Sequence, residues 1–230
     1  MKKKTKIWFY LASILGVLFM LISGCEKDDN NTEDTFTDYD GNVYHTVTIG
    51  AQVWMLENLK VTHYRNGDVI LNVTDNTQWS ELTTGAYSNY DNNEVNETTY
   101  GRLYNWFAIS DSRNIAPQGW HLPSVAEWNT LQTYLGGSSL AGGKLKESGT
   151  IHWSSPNTGA DNGSGFTALP SGNRNADGTY SSLTTYGFWF ISEEFSATES
   201  KYRGVRFDEA TFHESHVDKN FAFAVRCIKD

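Results

Sequence analysis

The chain has 230 residues, 27 Asp and Glu against 18 Lys and Arg, a formal net charge of −9 and 39% apolar residues. That balance excludes the basic footprint nucleic acid requires and argues against lying flat on an anionic lipid surface. The apolar share and length suffice for one domain with a real core.

The first segment reads as an address. Lys2, Lys3, Lys4 and Lys6 precede an apolar run from Ile7 to Ile22, which is short for a bilayer span and ends in Leu21-Ile22-Ser23-Gly24-Cys25. These residues resemble a bacterial lipobox, so 1–24 is predicted to be a lipoprotein signal peptide and Cys25 the lipidation site. Outer-membrane lipid is then the first partner, because several acyl chains on one residue anchor stably. Residues 25–36 form a polar, acidic tether. Within it, Lys27, Asp28 and Asp29 resemble the surface-export signal of Bacteroidetes lipoproteins, which places the protein on the outer membrane facing the exterior. Loss of the four lysines would take the formal charge from −9 to −13. With Cys25 lipidated, Cys227 has no disulfide partner and is expected as a packed thiol.

From residue 37 to 230 the pattern is that of one folded domain. Asp40-Gly41-Asn42 is a turn signal; Val43–Ile49 reads as a strand, Gly50-Ala51 as a tight turn, and Gln52–Leu56 as the returning strand. Val61 to Ser88 is looser, and Asp91 to Thr99 is a polar loop. Arg102–Ile109 has apolar residues at helical spacing and predicts a short helix. Ser124 and Glu127 form a capping box before Val125, Trp128, Leu131 and Leu135, and Gly136-Gly137 stops that helix. Phe166–Leu169, Phe188–Ile191, Tyr202–Phe207 and Phe221–Ile228 are short apolar runs that predict strands. Helices early and strands late indicate an α+β domain with an antiparallel sheet.

Chemistry is sparse. His213 and His216 are three apart, so a strand would aim them at opposite faces, and a solvated hairpin tip is the expected setting. Asp38 to Asn42 has calcium-like oxygen spacing but lacks the distant glutamate of an EF-hand, leaving a β-turn. Asn157, Asp161 and Asn162 form an oxygen-rich loop and are the candidate Ca²⁺ ligands; otherwise no cofactor is expected. His121 reads as a structural histidine at a helix start, and Arg226 as a buried cation paired with a carboxylate. Nucleophile elbows, phosphate loops and dinucleotide fingerprints are missing from the sequence. Candidate ligand-binding residues are Asn173, Arg174, Tyr186, Glu193, Glu194 and Tyr202, with Asn175, Tyr180, Lys201, Asp208 and Glu209 beside them: tyrosines near amides and charges, read as surface loops.

Several ordered blocks carry a family resemblance. Asp40-Gly41-Asn42-Val43-Tyr44 leads to Ile49-Gly50-Ala51-Gln52-Val53-Trp54-Met55-Leu56-Glu57-Asn58-Leu59. Gly119-Trp120-His121-Leu122-Pro123-Ser124 leads to Glu127-Trp128, then Ala141-Gly142-Gly143-Lys144-Leu145-Lys146-Glu147. Pro156 to Ala160, Gly165 to Pro170 and Val225 to Asp230 follow. Together they resemble the Fibrobacter succinogenes major paralogous domain (FISUMP). Two departures stand out: Ala116 replaces a cysteine before Pro117, and Phe188-Trp189-Phe190-Ile191-Ser192 replaces a Trp-Trp-Ser-Ser block. The family is similar to the C-type-lectin-like and sulfatase-modifying-factor group, which implies a mixed fold with short helices, a small antiparallel sheet and long loops. The resulting expectation is a non-enzymatic binding or adhesion domain for glycan or polysaccharide. The alternatives are a structural or accessory subunit that binds another envelope protein and, more weakly, a hydrolase using scattered carboxylates such as Glu193 and Asp208.

Overall fold

The computed structural model describes residues 34–230. Cys25, Lys27, Asp28 and Asp29 lie outside the described residues. The elements, in chain order, are β1 (Thr35–Thr37), β2 (Val43–Ile49), β3 (Gln52–Met55), β4 (Leu71–Asn72), α1 (Asn76–Ser80), β5 (Ala86–Ser88), α2 (Glu94–Tyr100), β6 (Leu103–Asn105), α3 (Trp106–Ile109), β7 (Trp120–His121), α4 (Val125–Tyr134), α5 (Ser138–Leu145), β8 (Ser171–Arg174), β9 (Tyr180–Leu183), β10 (Tyr186–Glu194), β11 (Glu199–Arg206), β12 (Phe212–Asp218), β13 (Ala222–Phe223) and β14 (Ile228–Lys229). No helix among the described residues is long and apolar enough to cross a membrane.

The result is a mixed α+β fold that is mostly sheet. Instead of one small sheet there are three: β1-β2-β3-β14-β7, β10-β11-β12 and β4-β5-β6-β13-β8-β9. Pairing is antiparallel except for β4 with β5. The β2–β3 hairpin forms as predicted, with Gly50 at φ +63° in its turn. That backbone region is open to glycine at little cost.

The α4 start follows its sequence signature. The Glu127 N–H donates to Ser124 Oγ at 3.3 Å, and the Ser124 N–H donates back to the Glu127 carboxylate at 2.8 Å. Gly136 and Gly137, both at positive φ, end α4 and open α5. Trp128 and Leu131 face inward, joining Trp54, Phe166, Trp189 and Phe212 in one aromatic core. Each such side chain contributes roughly 1.5–3 kcal/mol through burial.

Four expectations change. Arg102–Ile109 is only half helix: Leu103–Asn105 pair as β6, and the Asn105 side chain accepts from Ala108 N–H to cap α3. A fully buried strand and a helix face give the same apolar run, and asparagine at the junction decides the break. Phe166–Leu169 is a loop, because the Asn162 amide grips Thr167 N and Oγ1 while Thr167 sits at φ +52°. His213 and His216 lie inside β12, not at a hairpin tip; the turns fall on either side of that strand. Their opposite facing does follow from the period of two.

The last run, Phe221–Ile228, is not one strand. Ala222–Phe223 joins the six-stranded sheet, Ala224 bridges Trp189 of β10, and Ile228 pairs with Trp54 and His121 in the five-stranded sheet. Residues 222–228 are all buried, so this segment ties the three sheets together and leaves no polar face. Cys227 is fully buried and free, and burial pushes its thiol far above the ordinary range.

Candidate functional site

The three-stranded sheet has two unlike faces because residues alternate along each strand. Trp189, Ile191, Val205 and Phe212 point into the aromatic core beneath α4. The register Tyr186↔Arg206, Phe188↔Gly204, Phe190↔Tyr202 and Gly204↔His213 places Tyr186, Phe188, Tyr202, Arg206 and His213 on the other face. At the Tyr186 end these side chains line a cavity of about 140 Å³ together with Gly204 and Glu209.

Its apolar wall is a ring assembly. Tyr186 stacks on Phe188 at 5.1 Å and 11°, and Phe188 meets Tyr202 edge-on at 5.5 Å. Behind them Phe223 stacks on Phe188 at 4.8 Å and anchors the group to the core. Gly204 forms the floor: a Cβ there would stand 3.0 Å from the Phe188 ring.

Its polar rim comes from the turn after β11. Arg206 binds both Asp208 oxygens, and its Nε lies 3.2 Å from Glu209 Oε1. His213 Nε2 meets the same Glu209 oxygen at 2.9 Å. The hydrogen bonds to Asp208 and to Tyr186 raise the guanidinium's pKa, and the same contact from Arg206 lowers that of Asp208.

The rim is held from below by Lys146. Its buried ammonium donates to the carbonyls of Thr158, Arg206 and Glu209 at 3.0, 2.9 and 2.8 Å. This close approach needs the preceding glycines: a Cβ on Gly142 would stand 2.3 Å from Thr211 O, and one on Gly143 at 2.3 Å from Gly159 O. The Gly-Gly-Lys-Leu-Lys block is therefore a buttress for the Arg206–Glu209 turn.

The other candidates lie elsewhere. Asn173 and Arg174 are not in a surface loop but buried in β8. The Arg174 guanidinium is spent on Gly178 O, Val73 O, Thr74 O and Asn76 Oδ1 and sandwiched by Trp79 and Tyr180. Asn173 bonds Asn175 and Ser181. Glu193 and Glu194 sit at the far end of β10, where Glu193 accepts from Val125 N–H and Glu194 pairs with Lys219 at 2.9 Å. Seven residues of extended chain separate Glu193 from Tyr186, roughly 23 Å. Glu193 and Asp208 thus stand at opposite ends of the β10–β11 ladder, far beyond the ~5–9.5 Å that a carboxylate pair for glycoside hydrolysis spans.

The oxygen-rich loop spends most of its groups internally, although Asn157 Oδ1 is buried without a hydrogen-bond partner among the described residues. Asn162 holds Thr167, Asp161 Oδ1 accepts from Gly163 N–H, and the Asn157 amide donates to Glu147 O and Gly149 O. Among the described residues no three His, Cys, Asp or Glu side chains cluster as metal ligands. Asp38 likewise closes its own turn, accepting from Asn42 and Tyr44.

His121 is structural, bridging Glu127 at 2.8 Å and Asp230 at 2.7 Å. Arg226 is buried as expected, but its partners are neutral: Asn58 Oδ1 at 3.0 Å and Phe166 O, with Phe166 and Trp189 rings above and below. Asn58 Oδ1 also accepts from Trp189 Nε1 at 2.9 Å.

A second concavity of about 220 Å³ lies between residues 37–39, 61–65 and 115–118. Asp40 and His63, both absent from the sequence candidates as site residues, pair beside it. Phe188, Gly204, Arg206 and His213 were also missed as a group. Their period-two spacing is in the sequence, but the register that aligns them is not.

Comparison with known proteins returns no match among curated proteins and none among solved structures. The blocks that build the aromatic core, the Lys146 buttress and the Arg226 hub all fall within residues 47–229, which match the Fibrobacter succinogenes major domain, and the chain belongs to that family.

Proposed function

We propose that this protein is a lipid-anchored, non-enzymatic binding protein of the bacterial cell exterior whose groove between Tyr186 and Tyr202 takes a sugar unit of a polysaccharide or glycan. The observation that carries the reading is that Tyr186 and Tyr202 flank one cavity, with a ring wall on one side and a hydrogen-bonding rim on the other. An aromatic ring packs against the apolar face of a pyranose while carboxylate and imidazole meet its hydroxyls. The lipobox at Cys25 and the Lys27-Asp28-Asp29 run support placement on the outer membrane facing outward. A C-type-lectin-like relationship is part of this reading, supported by the Leu122-Pro123 helix start with Glu127-Trp128 and by Arg226 near the terminus.

The test is glycan-array and insoluble-polysaccharide binding by the full chain, with calcium and with chelator. Binding that Tyr186→Ala and Tyr202→Ala each weaken at least tenfold supports the reading, and insensitivity to chelator would remove calcium from it. Silence across a broad array would sink it. A second reading, an envelope-protein partner, has its own support in β4: this outer strand of the six-stranded sheet leaves Leu71 exposed, and Val69 just before it is exposed as well.

A further inference from the structure

We infer that the groove selects a cationic amino sugar over neutral and acidic sugars, an inference that rests on the glycan reading and specifies its ligand class. The charges around the cavity carry it. Arg206, Glu209 and His213 line the cavity, and Asp208, just outside the lining, adds a second carboxylate on the one guanidinium. Both Asp208 oxygens are taken by Arg206, so the cation is committed before any ligand arrives. Glu209 Oε1 is the oxygen nearest both Arg206 and His213, while Oε2 accepts no hydrogen bond among the described residues. The Tyr202 hydroxyl is also without one. The polar side of the groove therefore offers a free carboxylate oxygen and no free counter-charge for an acid.

The apolar side points the same way. Tyr186, Phe188 and Tyr202 surround the cavity with ring faces and edges, and the negative faces of aromatic rings attract an ammonium group. A carboxylate ligand would meet both the ring faces and the excess acid, and lose on both counts. The cavity, at about 140 Å³, suits one ring carrying one amine. Lys146 does not alter the balance, because its ammonium is buried beneath the turn and occupied by three carbonyls.

The experiment is calorimetric titration of the full chain, near neutral pH, with methyl glucosaminide, methyl glucoside, methyl glucuronide and choline. The glucosaminide should bind about tenfold more tightly than the glucoside, and the glucuronide most weakly. Glu209→Gln keeps the side chain's shape and its backbone carbonyl on Lys146, so it folds as before; it should erase the preference for the amine. Asp208→Asn should reduce that preference by less. Tyr186→Ala should weaken both the glucosaminide and the glucoside. Equal binding of the three sugars, or a preference that survives Glu209→Gln, overturns the inference while leaving the glycan reading intact. Choline binding as tightly as the glucosaminide also overturns it, because the groove would then be reading ammonium and not sugar. No binding by any of the three sugars also overturns the inference, while the glycan reading is decided by the array.

Discussion

The two faces of the three-stranded sheet are made by the same strands and differ in what covers them. On the closed face Trp189, Val205 and Phe212 meet Trp128 of α4 and Phe166, and the buried cations there are internally held: Arg226 by Asn58 and Phe166, and Arg203, over the Phe212 ring, by Gln132 and Glu214. On the open face Tyr186, Phe188 and Tyr202 pack on one another and on Phe223, but at the Tyr186 end no helix lies over them. The difference shows where aromatic residues serve stability and where they are left for a ligand. Composition alone cannot separate the two, since both faces are rich in rings.

The sharpest test of that contrast compares two residues three apart on β10. Trp189→Ala deletes a buried ring and the donor to Asn58, and should cost about 4 kcal/mol in urea unfolding. Tyr186→Ala, on the open face, should cost less than about 1 kcal/mol while weakening sugar binding. Equal costs would mean that the open face is core. Arg226→Met comes next, at about 3 kcal/mol. It keeps apolar bulk between Phe166 and Trp189 but takes donors from Asn58 Oδ1 and Phe166 O. A neutral or stabilising result would show that the hub tolerates an apolar filler. Gly204→Val then sharpens the open face itself: a branched side chain must displace the Phe188 ring, costing about 2 kcal/mol in thermal unfolding and filling the groove floor. Unchanged sugar affinity in that variant would place the ligand elsewhere.

Local chemistry was legible in the sequence where one short segment determines the outcome. The Ser124–Glu127 capping box, the Gly136-Gly137 stop and the Gly50 turn each need only neighbouring residues, and each forms as read. Long-range register was not. Residues 221–228 look like one alternating strand, yet their partners lie in three sheets, and only pairings with residues distant in the sequence decide that. The candidate site divides in the same way. Tyr186 and Tyr202 were identifiable as tyrosines beside charges, but the register Phe190↔Tyr202 and Phe188↔Gly204 brings them to one groove. Arg174 reads as a surface cation for the opposite reason: nothing nearby in sequence reveals that Val73, Thr74 and Asn76 supply its carbonyl and amide cage.

The smallest expected effect concerns the cover of the closed face. α4 begins at the Ser124–Glu127 box, and His121 ties Glu127 to Asp230. Burial opposes a charge on His121, but the hydrogen bonds to Glu127 and Asp230 outweigh it, so its pKa is raised above the ordinary 6.5. That contribution to stability is fully present below 6.5 and fades as pH rises through the folded value. Burial likewise raises Glu127, but the bonds from Ser124 N–H and His121 prevail and lower it below the ordinary 4.5. Its contribution is present above 4.5 and fades as pH falls through the folded value. The two overlap between about pH 4.5 and 6.5. Because His121 is about a third exposed, solvent screening holds the effect below about 1 kcal/mol. The urea midpoint of the wild type should therefore exceed that of His121→Gln most within this window, and the gap should narrow on the alkaline side. A gap that stays constant from acid to alkaline pH would mean that His121 holds α4 by shape and neutral hydrogen bonds, and that the cover of the closed face does not depend on charge.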